Sequence, residues 1–250
     1  MAVHGFLFAN NAQNNSFAAL TPVADETAFI TGNKLAVPPG HTDIVAAAGI
    51  GSNFIRLQFD SPMLRKMGRV NVPYVNKAAL PSGNLAVPKY ENNPPKVDPG
   101  EYLYAYAEDD AGAANRKTAA LWLSDGPVSP VTGQDARLIH GTATFAAVPY
   151  AWTVGQLVLE TELQAGRYAV IGFRAQGTTC IAARMIFPKQ GFRSMVLGMQ
   201  GTSDRMDEAF LDGTLGSLGE FQSLMAPKIE TYCTAADAKV DVDLNLVKVG

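Results

Sequence analysis

The stretch that decides the fold class is AGRYAVIGFRAQGTTCIAARMIFP, residues 165–188. Two runs of strand-forming residues flank Gln176, Gly177 and Thr178, which have turn composition, so the stretch predicts a β-hairpin. Both runs are largely apolar on the two faces that alternate along a strand. A strand of that kind is covered on both sides, so the stretch indicates a packed wall and not the floor of an active site.

Two arginines and one cysteine interrupt this apolar stretch. Arg174 and Arg184 lie on the predicted strands, and a buried arginine without a partner is costly. We therefore expect each arginine to pair with a carboxylate or to cap backbone carbonyls, either within the chain or across a subunit boundary. Cys180 and Cys233 are far apart in the sequence and form no disulfide framework, so both are expected to be buried thiols.

Strand signals dominate the rest of the chain. Residues 101–108 place three tyrosines on one face, and residues 117–126 return after a polar loop, which predicts a second hairpin. In residues 239–249, apolar side chains at alternate positions predict a half-buried strand that closes a sheet. The main helix signal begins at Ser203, a good N-cap, and predicts a short helix near residues 203–210.

Frequent proline and glycine divide the chain into many short strands, which predicts an all-β fold of the jelly-roll sandwich type. Residues 125–136 contain two prolines and two glycines and could join two sandwiches or form a long loop within one. We expect two jelly-roll-like sandwiches in tandem, over residues 1–130 and 131–250.

The first 24 residues contain no Lys, Arg, Asp or Glu, and an apolar run begins at Phe6. They lack the charged region of a signal peptide, and no segment has the length of a membrane span. We expect an N-terminal arm that orders only against a neighbouring subunit, in a protein made and kept in the cytosol until assembly.

Charged residues make up only 17% of the chain, hydrophobic residues make up 47%, and the formal net charge is −3. The charged fraction is below the ~25% that is usual for soluble domains, so part of the surface is expected to be covered by other protein. No basic tail is present, and direct nucleic-acid binding is not expected.

Catalytic motifs are not found. His4, His41 and His140 are separated from one another and from any metal-ligand spacing, and no Gly-x-Ser-x-Gly elbow occurs. The carboxylate pairs and the basic stretch 63–69 are interpreted as solvated strand faces and loops. We therefore predict no enzyme, no catalytic, cofactor-binding or metal-binding residues, and no cofactor. The carboxylate pairs are Asp109 with Asp110, Glu160 with Glu162, and Asp241 with Asp243.

As a whole, the chain resembles viral coat proteins of the jelly-roll type. Its length and its division into two β halves resemble the double jelly-roll major capsid proteins of membrane-containing phages. The resemblance is one of overall pattern and implies self-assembly into a capsid shell in the virion, with a homotrimer as the expected unit. The implied partners are further copies of the chain, other virion proteins and an internal membrane.

A carbohydrate-binding or adhesin β-sandwich is the alternative from another class, and a hydrolase on a β scaffold is a further one. Sugar binding would require exposed aromatic side chains. Trp122 and Trp152 are candidates, but both lie in apolar strand runs and are expected in the core.

Overall fold

The computed structural model describes residues 3–13, 16–25, 28–51, 54–72, 74–76, 87, 89–90, 92–109, 115–188, 190–198, 213–236 and 238–250. The chain divides into two compact units. The first unit comprises residues 6–127, and the second comprises residues 128–250 together with residues 3–5. Within the described ranges, no helix has the length and apolar character needed to cross a membrane.

The first unit is built from strands and one short helix among its described residues. In chain order they are β1 (Val3–Gln13), β2 (Ala18–Ala19), β3 (Thr21–Pro22), β4 (Ile30–Thr31), β5 (Lys34–Ala36), β6 (Asp43–Gly51), β7 (Phe54–Asp60), α1 (Pro62–Met67), β8 (Val70–Asn71), β9 (Tyr74–Asn76), β10 (Tyr102–Asp109) and β11 (Asn115–Ser124).

The described part of the second unit contains strands alone as regular elements. In chain order they are β12 (Gln134–Thr144), β13 (Trp152–Leu159), β14 (Arg167–Gln176), β15 (Cys180–Ile186), β16 (Met195–Leu197), β17 (Gly219–Gln222), β18 (Lys228–Cys233) and β19 (Lys239–Lys248).

The first unit is a sandwich of two sheets. One sheet has the order β3-β1-β11-β6-β9, and the other has the order β4-β5-β10-β7-β8, with β2 also paired to β10. Eight strands remain when β2, β3 and β4 are set aside, and one of the eight, β8, is itself only two residues long. Their order is first-eighth-third-sixth in one sheet and second-seventh-fourth-fifth in the other, which is the strand order of a jelly roll.

The second unit repeats this order with strands β12 to β19. Its two halves read β12-β19-β14-β17 and β13-β18-β15-β16, and pairing of β12 with β13 joins them into one path of eight strands. One detail differs between the units, because β9 runs parallel to β6 whereas β17 runs antiparallel to β14. The prediction of an all-β fold built from jelly-roll sandwiches is confirmed.

Alternation of side chains explains which strand faces form the cores. On β10 the residues Leu103, Ala105 and Ala107 are buried, while the intervening tyrosines lie on the other face. On β19 the predicted apolar face is buried, and it comprises Val240, Val242, Leu244 and Leu246. This confirms that the stretch 239–249 contributes a strand to the second sandwich, between β12 and β14.

The two predicted hairpins are wrong, although their strands exist. β14 pairs with β19 and β17, and β15 pairs with β18 and β16, so the turn at residues 177–179 carries the chain from one half of the sandwich to the other. β10 and β11 likewise belong to different sheets. Turn composition reports that the chain reverses locally, but it does not specify which strands become hydrogen-bonded neighbours.

The predicted N-terminal arm is also wrong for the described residues of that segment. Residues 6–13 belong to β1, which lies inside a sheet between β3 and β11, and Phe6, Leu7 and Phe8 are buried. In the second unit, Ser194 Oγ donates a hydrogen bond to the carbonyl of Val3 at 2.8 Å. The uncharged composition of this segment therefore reflects burial within its own chain.

The helix predicted near residues 203–210 lies outside the described residues. The basic stretch 63–69, expected in a loop, lies largely in α1. Ser61 caps this helix by accepting a hydrogen bond from the Leu64 amide at 3.2 Å, and Gly68 follows its last turn with a φ of 95°. Arg65 pairs with the buried Asp60, its Nη2 donating at 2.7 Å.

Candidate functional site

A row of charged side chains crosses one face of the eight-stranded sheet of the second unit. Register places Asp243 of β19 beside Arg174 of β14 on one side and His140 of β12 on the other. We call Arg174, Asp243, His140, Asp241 and Glu160 the charged row. Arg174 Nε donates to Asp243 Oδ2, and His140 Nδ1 lies 2.6 Å from Asp243 Oδ1. Asp243 is only 9% exposed, so the row is anchored on a nearly buried carboxylate.

His140 is the titratable centre of the charged row. The hydrogen bond to Asp243 is the main cause that raises the pKa of His140 above 6.5, and the charges of Asp243, Glu160 and Asp241 act in the same direction. Its Nε2 lies 3.7 Å from Glu160 Oε1 and 3.9 Å from Asp241 Oδ1. Both ring nitrogens therefore face carboxylates, an arrangement that favours the imidazolium and does not activate a nucleophile.

Exposed apolar side chains lie beside the charged row, on the β12 and β13 side of the same sheet face. Val158 of β13 is 63% exposed and Leu138 of β12 is 62% exposed, and Val154 is also exposed. Val158 lies opposite Thr142, whose alternation places it on the face of His140. We call this face of β12 and β13 the outer face. Large apolar side chains left in water on a regular sheet are typical of an interaction surface.

A second charged cluster is buried in the same unit. Arg184 Nη2 donates to Glu230 Oε2 at 2.7 Å, and Arg193 Nη1 donates to Glu230 Oε1. Arg184 has no exposed surface, and its guanidinium carbon lies 3.9 Å from the centre of the Trp152 ring. The prediction that Arg174 and Arg184 each pair with a carboxylate is confirmed. Both carboxylates belong to the same chain as the arginines.

The first unit presents a row of aromatic rings on β10. Tyr104 and Tyr106 lie with ring centres 6.0 Å apart, and Phe17 stacks on Tyr106 at 5.3 Å. Cations cover this row, because Arg56 lies 3.7 Å from the ring centre of Phe17 and Lys34 lies 5.1 Å from that of Tyr102. Tyr102 is the most exposed ring of the row.

Several other candidate residues are dispersed. Trp122 is fully buried, and His41 is nearly buried, which lowers its pKa by desolvation. Cys180 and Cys233 are buried thiols without a disulfide, as predicted. Asp110 and the side chain of Asp109 lie outside the described part of the structure.

No group of three or more His, Cys, Asp or Glu side chains suited to a metal ion is found in the described part of the chain. Described cavities of the second unit, about 340 to 440 Å³ in volume, are lined by residues of its loops and of several strands, and not by the charged row.

Sequence reasoning missed the charged row because its members are distant in sequence. Asp241 and Asp243 were interpreted as a solvated strand face, whereas Asp243 is nearly buried between Arg174 and His140. The signal that could have found them was cross-strand register, which requires knowing that β19 lies between β12 and β14. Once that pairing is fixed, alternation places the row on one face.

The similarity of the chain to known proteins is low. No protein-family profile matches the chain, and no curated protein matches it. Among solved structures, the crystal structure of the major capsid protein P2 from Bacteriophage PM2 is similar over 100% of this chain and 97% of that chain, with 10% identity and a TM-score of 0.22. Values of that size define neither a shared fold nor a family, so the jelly-roll assignment rests on the strand order of this chain.

Proposed function

We propose that this chain is a structural coat protein that self-assembles into a viral capsid shell. The observation that carries the proposal is the repetition of one jelly-roll strand order in two successive units. Jelly rolls build viral capsids, and also lectin domains and cupins. The tandem arrangement adds to the resemblance with double jelly-roll coats that the sequence indicates.

The outer face supports a role in assembly. Its exposed Leu138, Val154 and Val158 form an apolar surface that contact with a further copy would bury. The low charged fraction of 17% favours the same role. We propose a homotrimer as the unit of the shell.

The remaining parts of the proposal follow from a coat role. The protein is made in the host cytoplasm and resides in the virion, where other virion proteins and an internal membrane are its further partners. It performs no catalysis and does not bind nucleic acid directly. The charged row favours a structural role, since both nitrogens of His140 are directed at carboxylates.

A carbohydrate-binding or adhesin module is the second candidate, and the aromatic row of β10 is the observation that favours it. Stacking on a sugar requires an open ring face. Arg56 covers a face of Phe17, and Lys34 lies over the rings of Tyr102 and Tyr104, so part of that surface is already occupied. This arrangement favours the coat role over glycan binding.

Light scattering and negative-stain electron microscopy of the purified chain test the proposal. We expect trimers or closed particles at micromolar concentration. Val158→Glu places a charge on the outer face and should shift the population toward monomer, while the chain stays folded with the circular dichroism spectrum of the wild type, because the side chain is exposed. Val158→Thr keeps the branched shape and is the matched control. A wild-type chain that stays monomeric and binds a glycan array would support the second candidate instead.

A further inference from the structure

The two cysteines of the chain, 53 positions apart, are direct neighbours in the fold. Cys180 near the start of β15 lies opposite Cys233 at the end of β18, where the register of the two strands shifts between Cys180 and Ala182. Without that shift, the regular alternation of β15 would place Ile181 at this position. Both thiols are buried and are not joined by a disulfide in the structure.

The backbone around the pair has the hydrogen-bond pattern of a non-hydrogen-bonded cross-strand site. The Thr234 amide donates to the Thr179 carbonyl at 3.0 Å, one residue outside the pair on each strand. The Cys233 carbonyl accepts from the Tyr150 amide, and the Cys180 amide donates to the Gly177 carbonyl, so both of these groups have hydrogen-bond partners outside the pair. At such sites the Cα atoms are about 4.5 Å apart and the side chains approach most closely.

A disulfide requires Cα atoms roughly 4.4 to 6.8 Å apart and side chains on the same face, and a site of this kind meets both conditions. Gly198 packs on the other side of Cys180, because a Cβ added at Gly198 would lie 2.7 Å from the Cys180 sulfur. The Cys180 thiol is therefore confined in the core beside Gly198, on a residue whose cross-strand partner is Cys233, and bond formation requires it to turn toward that partner. It donates a weak hydrogen bond to the Ala182 carbonyl at 3.5 Å.

We propose that Cys180 and Cys233 are a modification site that closes into an intramolecular disulfide under oxidising conditions. With a peroxide as oxidant, one thiolate attacks an oxygen of the peroxide, which gives a sulfenic acid and releases the other oxygen as hydroxide. The second thiolate then attacks that sulfur, the S–S bond forms, and the sulfenic oxygen leaves as hydroxide. The two thiol protons convert both hydroxides to water, so two electrons pass from the sulfurs to the peroxide.

The bond would fasten β15 to β18 within one half of the second sandwich. It would close a loop of roughly 50 residues, for which the loss of chain entropy in the unfolded state predicts a rise in Tm of about 8–16 °C. The inference concerns the isolated chain and does not depend on the coat role. In a coat, such a bond would form after the particle leaves a reducing cytoplasm.

Peptide mass spectrometry of peroxide-treated native protein tests the proposal, because it separates the cysteines from the eight methionines, which peroxide also oxidises. After denaturation with an alkylating agent and digestion, the wild-type peptides that contain Cys180 and Cys233 should be joined, about 2 Da lighter than the two reduced peptides together, carry no alkylated cysteine, and regain both thiols with a reductant. The matched controls are Cys180→Ser and Cys233→Ser, in which the remaining thiol lacks its partner. They should gain oxygen instead and show no rise in Tm.

Burial slows attack on both thiols, so the measurement is repeated on wild type refolded from denaturant in a glutathione redox buffer. The same intramolecular bond is expected. The proposal is overturned if both thiols remain open to alkylation after refolding, if the wild type only gains oxygen as the controls do, or if the sulfurs join two chains.

Discussion

From the buried cluster of Glu230 with Arg184 and Arg193 we predict a large loss of stability when the charge of Glu230 is removed. Glu230→Gln keeps the size of the side chain but removes the only negative charge of the three-residue cluster, leaving two arginines that are 0% and 6% exposed. Breaking a buried pair by removing one partner costs about 3–5 kcal/mol. At about 2–4 °C per kcal/mol for a chain of this size, the Tm should fall by about 6–20 °C.

Thermal and guanidinium unfolding followed by circular dichroism measures the effect. The matched control is Glu220→Gln, since Glu220 makes an exposed pair with Arg167 at 3.4 Å and should contribute less than about 1 kcal/mol. Arg184→Met should cost less than Glu230→Gln, because Glu230 then keeps Arg193 and methionine can pack against Trp152. A Glu230→Gln protein that melts within about 2 °C of wild type would refute the reasoning.

Three further predictions concern the strands and the charged row. Ending the chain after Ala238 removes the four side chains of the buried apolar face of β19, each worth about 1.5–3 kcal/mol, so the product should be insoluble or melt without cooperativity. A soluble, cooperatively melting product would contradict this. Deleting residues 2–13 removes β1 from its sheet and should lower the unfolding free energy of the first unit itself. An unchanged thermal transition by calorimetry would instead support an N-terminal arm that is not part of the folded unit. Asp243 raises the pKa of His140 in the folded protein, so protonation of His140 stabilises the fold. This contribution to the unfolding free energy is complete below the unfolded pKa of about 6.5, and it is lost as the pH rises through the higher folded pKa. Guanidinium midpoints from about pH 5.5 to 8.5 should therefore fall with pH in a component that His140→Gln removes, and identical slopes in the two proteins would exclude it.

Strand content could be predicted from the sequence because it depends on local alternation. The stretch 239–249 shows this, since its period-2 pattern specifies both the strand and its buried face. The same alternation correctly placed the tyrosines of β10 on one face. In these stretches the burial preference of each side chain and the geometry of a strand point to the same answer.

Strand partners could not be predicted in this way. The turn at residues 177–179 looks like a hairpin turn, yet β14 and β15 are apolar on both faces and accept neighbours from distant parts of the chain. His140 and Asp243 are 103 positions apart and meet only because β12 and β19 pair. Register shifts add to the difficulty, since the one in β15 places Cys180 opposite Cys233 and moves Ile181 out of that position.

The jelly-roll order also determines when each strand can pair with its neighbours during synthesis. In each unit the first strand lies beside the last, β1 beside β11 and β12 beside β19. The first unit can close its sheets once residues 115–124 have left the ribosome, but β12 and β14 lack their shared neighbour until residues 239–248 emerge. At about 5–20 residues per second, β12 waits for roughly 5–20 s after its own synthesis. During that interval its free edge is a template for pairing with other nascent chains, so the pace of translation between β12 and β19 should govern how much correctly folded protein a cell obtains.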